Sequence, residues 1–241
     1  MFVSLNIPVC RFLIVALATV LFSGCASAPA TVDTSPEAEV TFDGLHPVEG
    51  AKMQQVWARD DFDLSPYSKI MLRGAASEFR PGGKNPKMHS SLGPNEHYTV
   101  TPEQKAKFDE IMGEAFVAEL SSSEQFSIVT EPGPDVLLVQ GKLLDVVSFI
   151  PDDRMSRGGR ESVRLSRVGE VTLVLEIRDS ESSAILIRAA ERRAAESAAL
   201  TMTRSNPVTN AAEFRRVATH WAKILREGLD RLLTPGDPAG E

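Results

Sequence analysis

Sixteen consecutive residues constrain this chain more than any others. Asp135 to Ile150, DVLLVQGKLLDVVSFI, is apolar at odd and even positions alike and rich in Val and Leu. A strand with apolar side chains on both faces has to be covered on both faces, so this segment predicts the centre of a sheet. It sits beside a second strong signal. Val171, Leu173, Leu175 and Ile177 alternate with Thr172, Val174, Glu176 and Arg178, the period of a half-buried strand. Asp179 to Ser183 reads as a turn, and Ala184 to Glu191 returns with Ile185, Ile187 and Ala189 on one face, which completes a hairpin.

Two helices flank these strands. Thr101-Pro102-Glu103-Gln104 is a capping box with proline at the first helical position. Phe108, Ile111, Met112, Ala115, Phe116 and Leu120 then recur at helical spacing. A closing helix is expected to open at Asn210 and to bury Phe214, Val217, Ala218, Trp221, Leu225 and Leu232, with Pro235-Gly236 as its stop. Two short strands complete the reading, Tyr67 to Leu72 and Phe126 to Val129, and a Gly/Pro/polar loop is expected over 73–100. The expected fold is therefore α+β: a single antiparallel-rich sheet of about five strands with two amphipathic helices packed on one face. The body is expected to span 51–233 as one α/β domain, followed by a disordered tail over 234–241.

The N-terminus specifies a location. Arg11 is the only charged side chain before Asp33, and Phe12 to Phe22, FLIVALATVLF, is an apolar run of eleven residues. That is too short to span a bilayer, which takes about 20 residues, but it suits a secretory signal. Small residues Ser23, Gly24 and Ala26 surround Cys25. The arrangement resembles a bacterial lipobox, although the third position before the cysteine is Phe22 where leucine is usual. The resemblance implies cleavage after Gly24, a signal peptide over 1–24 and lipidation of Cys25. A plain signal peptide cut near Ala26 or Ala28 is the competing reading. Two acyl chains anchor stably where one does not. Ala26 after the cysteine, by resemblance to Gram-negative lipoproteins, implies the outer membrane. Residues 25–50, rich in Ala, Pro, Ser, Thr and acids, read as a flexible tether.

Composition excludes some functions. The net charge of −7 argues against nucleic acid as a partner. The two cysteines, Cys10 and Cys25, both precede the body, so no disulfide framework or cysteine metal site is expected there. No G-x-S-x-G, H-E-x-x-H or phosphate-cradling glycine loop is present. No catalytic residue, cofactor or metal is therefore assigned. His46, His89, His97, Glu96 and His220 lack strong ligand spacing, with His220 expected on the solvated face of the last helix. Asp60, Asp61 and Asp63 lack the rest of a calcium loop. Trp57 and Tyr67 are expected to cover a sheet edge. Asp145, in the buried strand, is either a functional acid or the partner of a hairpin arginine, unless it marks the strand's exposed end.

The segments VWARDDFDLSPYSKIML and VGEVTLVLEIRDSESSAILIRAAERRA, with the closing helix, resemble the bacterial lipoproteins of domain of unknown function 3313. The resemblance covers most of 43–233 and implies an outer-membrane lipoprotein with an α/β domain and no established catalytic residues. Two classes of function follow. The favoured one is a non-enzymatic binding or scaffolding domain, with an envelope protein or a second copy as partner. The other is a hydrolase or small-ligand carrier at the membrane. Arg154, Arg157, Arg160, Arg164 and Arg167 stand out in an acidic chain. They read as a solubilising loop or as a contact with an anionic surface or acidic partner, the latter adding about 1 kcal/mol per basic residue near such a surface.

Overall fold

The structure, a computed structural model, describes residues 30–82, 97–151, 163–197 and 201–233. Cys25, His89, Glu96, Arg154, Arg157, Arg160 and the segment 234–241 lie outside the described residues.

Ten strands and two helices are present among the described residues. In chain order the strands are β1 (Thr31–Val32), β2 (His46–Glu49), β3 (Gln55–Ala58), β4 (Lys69–Phe79), β5 (Ser127–Val129), β6 (Val136–Ser148), β7 (Arg164–Leu165), β8 (Arg167–Asp179), β9 (Ile185–Glu196) and β10 (Thr203–Arg204). Helix α1 (Pro102–Leu120) falls between β4 and β5, and α2 (Pro207–Leu233) closes the chain. Eight strands form one sheet in the order β1-β2-β3-β9-β8-β6-β4-β5, and β7 pairs with β10 in a separate ribbon.

The expectation of one antiparallel-rich sheet of about five strands is corrected by this topology. The sheet has eight strands and is mixed, because β4 runs parallel to both β5 and β6 while the remaining pairs are antiparallel. β1, β2 and β3 are two to four residues long, too short to show a period. The segment expected to be a tether thus supplies β1 and β2 and buries Leu45. β4 continues to Phe79 through Arg73-Gly74-Ala75-Ala76, residues that carry little strand propensity of their own. The pairing with β6 holds them, with register shifts after Arg73 and Ser77.

β6 sits between β4 and β8, and Val136 and Leu138, which alternate with the core residues Leu137 and Val139, are buried as well. One face carries Leu137, Val139 and Leu143 into the main core with Ile70, Leu173, Leu175, Ile177 and Ala189. The helices cover that face: α1 touches β4, α2 touches β8 and β9, and the two pack on each other. The α1 capping box is formed, Thr101 Oγ1 accepting from Gln104 N and Gln104 Oε1 accepting from Thr101 N. α2 begins three residues before the expected Asn210. Asn206 Oδ1 accepts from the amides of Val208 and Thr209, both at 3.0 Å, and Pro207 follows the cap. Its buried stripe runs through Trp221 and Leu225 to Leu229, while Leu232 is exposed.

Candidate functional site

The face of the sheet away from the helices is charged. Register places Glu176 beside Arg188 and Thr172 beside Arg192 across β8 and β9. Arg188 donates to Asp43 Oδ2 at 2.6 Å and to Glu176 Oε1 at 3.0 Å, and Arg178 donates to the other oxygen of Glu176. A second cluster centres on Asp145, which receives Arg80 Nε at 2.7 Å and Arg192 Nη1 at 2.8 Å, while Arg192 Nη2 reaches Glu170 at 2.7 Å. Asp145 adopts φ +50°, in the left-handed region, where β6 shifts register against β8 after Leu144. It faces Arg192 of the hairpin as well as Arg80, so its charge is matched.

Hydrogen bonds from Arg188 and Thr41 hold the Asp43 carboxyl below its usual range. Those from Arg80, opposed by partial burial, do the same for Asp145. Burial raises Glu176, but Arg178 and Arg188 outweigh it and the net shift is downward. Carboxyls held low in the folded state bind fewer protons than in the unfolded chain. Their contribution is complete above the ordinary carboxylate range and disappears as pH falls through the lowered values. Urea midpoints are therefore expected to drop between about pH 5 and pH 2, and less steeply in Glu176→Gln than in the wild type.

Among the other described candidates, His97, Asp61 and Asp63 have structural contacts. His97 Nε2 lies 2.7 Å from Pro81 O. His220 is half-buried beside Lys52 and Lys223 and not on a fully solvated face; burial and Arg193 push its imidazole below the ordinary value. Asp61 pairs with Arg59, and Asp63 caps the turn at Ser65. Trp57 lies on β3, inside the sheet, and the Tyr67 hydroxyl donates to Asp179 Oδ2 at 3.1 Å. Among the described residues no group of three His, Cys, Asp or Glu is placed to hold a metal, and no helix is long and apolar enough to cross a membrane.

A concave feature lies on the helix side, where the first turns of α1 and α2 meet the ends of β4 and β6. It is a half-open groove of about 1130 Å³. Its floor is apolar. Phe79, Phe108 and Phe214 stack edge to face, with centroids 5.4 Å apart for the first pair and 5.1 Å for the second. Val146, Val147 and Ile111 extend this floor. Gln104, Lys107, Arg204, Asn206 and Asn210 form a polar border, with no carboxylate, histidine or cysteine among the described lining residues.

Two of the five singled-out arginines are described. Arg167 donates to Glu170 at 2.8 Å and lies over the Phe149 ring, so its charge is compensated. Arg164 is exposed in β7, directly opposite Arg204 in β10, at the border of the groove. Among the described residues neither Arg164 nor Arg204 has an acidic partner. Like charges opposite one another destabilise a ribbon, and an anion between them removes that cost. Phe79 and Arg204, in segments without clear periodicity, were not legible as site residues, whereas Phe108 and Phe214 read only as core.

No curated protein matches the chain. Several solved structures share limited similarity with it. Protein XCC0632 from Xanthomonas campestris is 9% identical, with 73% of this chain and 90% of that one covered and a TM-score of 0.39. The PelC dodecamer from Paraburkholderia phytofirmans is 10% identical, with 70% and 96% covered and a TM-score of 0.34. A candidate lipoprotein from Caulobacter crescentus is 11% identical, with 73% and 96% covered and a TM-score of 0.34. Likeness at these scores carries no argument about this chain. The family described as protein of unknown function, DUF3313, matches residues 35–225, most of the sequence, and the chain belongs to that family.

Proposed function

We propose that this is a lipid-anchored envelope protein, held at the outer membrane by acyl chains on Cys25 with its body facing the periplasm, and that it works by binding and not by catalysis. The observation that carries the binding role is the groove. Its aromatic floor takes an apolar group, and its border offers Lys107 and Arg204 to a negative charge, with Arg164 paired beside Arg204. Lys107 shares its charge with Glu110, whereas the two arginines stand uncompensated among the described residues. A hydrolase needs a positioned base or nucleophile pair, and the described lining supplies none. Docking along the edge of β4 that β5 leaves open beyond Met71 is a weaker reading, since that edge is broken by register shifts.

Anilinonaphthalene sulfonate, an aromatic anion, tests the groove. Its fluorescence is expected to rise with the wild-type chain and to fall several-fold in the double variant Lys107→Glu, Arg204→Glu at unchanged thermal midpoint. Equal binding by both proteins refutes the reading. The anchor has a separate test. Cys25→Ser is expected to leave a larger, unacylated precursor, and an unmodified Cys25 thiol in the mass spectrum of the mature wild type rules out lipidation.

A further inference from the structure

Among the described residues, the most exposed large apolar side chain lies away from the groove. Phe42 is 98% exposed, and its neighbour Val40 is 46% exposed. The turn that carries Phe42 is not loosely held. Gly44 N donates to Thr41 O at 2.9 Å, Leu45 N donates to Thr41 Oγ1 at 2.9 Å, and Thr41 Oγ1 donates to Asp43 Oδ1 at 2.7 Å. Leu45 is buried at its foot, Asp43 is bound to Arg188 of β9, and Gly44 supplies the positive φ of +81°. An aromatic ring is thus presented to solvent on a turn fixed at both ends.

The surroundings of the ring are acidic. Residues 30–50 carry Asp33, Glu37, Glu39, Asp43 and Glu49 and no lysine or arginine. Glu37 and Glu39 are exposed, without ion pairs among the described residues. A membrane carrying anionic lipid repels such a turn. The groove has the complementary character: an aromatic floor and a basic border. The turn cannot reach the groove of its own chain. Asp43 is tied to the charged face of β9, whereas the groove lies on the helix face at β6 and β4, with β8 between.

We infer that the Thr41–Leu45 turn of one copy inserts Phe42 into the Phe79–Phe108–Phe214 groove of a second copy, with Arg164 and Arg204 facing Glu37 and Glu39. The inference rests on the groove being a binding site and names its occupant. A knob and a socket at different places on one surface make a head-to-tail contact, which propagates from copy to copy and either closes into a ring or continues as a row. Copies tethered in one membrane share an orientation and a raised local concentration, which favours such a contact.

Disulfide trapping in the full-length lipidated protein tests this. Phe42→Cys and Gln104→Cys chains with different tags are co-expressed and isolated in detergent. A mixed disulfide is expected from the pair and not from Phe42→Cys with Ser182→Cys on the hairpin turn. Sedimentation in the same detergent is expected to show association of the wild type. Phe42→Ser should weaken it roughly tenfold or more, with the thermal midpoint unchanged at a dilution where both proteins are monomeric, because the ring is almost fully exposed there. Lys107→Glu with Arg204→Glu should weaken it similarly, and Glu37→Lys with Glu39→Lys should restore it. A monomeric wild type overturns the inference, as do a missing mixed disulfide and association indifferent to Phe42→Ser. So does a Phe42→Ser defect confined to flotation with anionic vesicles, which would assign the ring to the membrane. If any of these occurs while the sulfonate dye still reports the groove, the occupant is wrong and the binding site stands. Loss of both signals removes the two readings together.

Discussion

Replacing Phe108 by alanine is expected to lower stability by about 3–5 kcal/mol and the thermal midpoint by roughly 6–20 °C. Phe108 is 5% exposed and is the middle ring of three. Phe79 comes from β4, Phe108 from α1 and Phe214 from α2, so this ring is where both helices and the sheet meet. Its loss removes two edge-to-face contacts, each contributing about 0.5–1.5 kcal/mol beyond burial. The cavity left behind adds to the cost, because neighbours relax only partly into it. Lys105, whose ammonium lies 5.0 Å from the centre of the Phe79 ring, cannot fill it, since its charge stays in solvent. The exposed Phe42→Ala is the matched control and is expected to change stability by no more than about 0.5 kcal/mol. Thermal denaturation of the three proteins at a dilution where all are monomeric measures the difference, and a Phe108→Ala shift as small as the control's would contradict the role given to the ring.

Gly169→Ala is expected to cost about 1–3 kcal/mol or more, although it adds only one methyl group. Gly169 pairs with Ser148 in the β6–β8 ladder. A Cβ at this position would lie 2.4 Å from the Val147 carbonyl oxygen and 2.8 Å from Cζ of Phe214. The first contact is with backbone in the centre of the sheet and cannot swing away. The second is with a ring of the groove floor. Relief requires β6 and β8 to separate or α2 to lift, and lifting α2 deforms the groove. The substitution is therefore expected to lower both the urea midpoint and the binding of the aromatic dye. Gly74→Ala is the contrast: its added Cβ meets nothing within 4 Å, and it is expected to leave both unchanged or raise stability slightly. Similar behaviour of the two alanine variants would show that the close approach at Gly169 is not limiting.

What could be read from the sequence was set by length and period. The hairpin of β8 and β9, the double-faced β6 and the capping box of α1 each repeat a signal over several residues, and each is present. β1, β2 and β3 repeat nothing, and they form because β9 offers an edge to which they add in turn. The direction of β4 was also hidden. Parallel pairing with β6 is decided by the path of the chain through α1, not by residues that differ from those of an antiparallel strand. The missed start of α2 has a local cause, since Asn206 acts as cap four residues before the Asn210 chosen from its downstream Glu213.

The site was less legible than the fold because it belongs to no single segment. Phe108 and Phe214 mark ordinary apolar stripes, Phe79 fell within an expected loop, and only packing assembles the three into a floor. Charge was similarly ambiguous. Arg164 and Arg167 are nearly adjacent in sequence, yet Arg167 meets Glu170 while Arg164 meets Arg204. Nothing in the spacing of the arginines separates the neutralised one from the uncompensated one.

The shortness of the two outermost strands bears on how the protein tolerates its own neighbours. An open sheet of eight strands has two borders along which foreign backbone can add, and long flat borders seed fibrils. Here the borders end in two residues at β1 and three at β5. β5 covers only Lys69 to Met71 of β4, so among the described residues the ladder from Leu72 to Phe79 is open on that side, but its two register shifts against β6 bend it out of the flat template that capture of a passing chain needs. Encounters between copies are left to side chains, where they can be broken and remade.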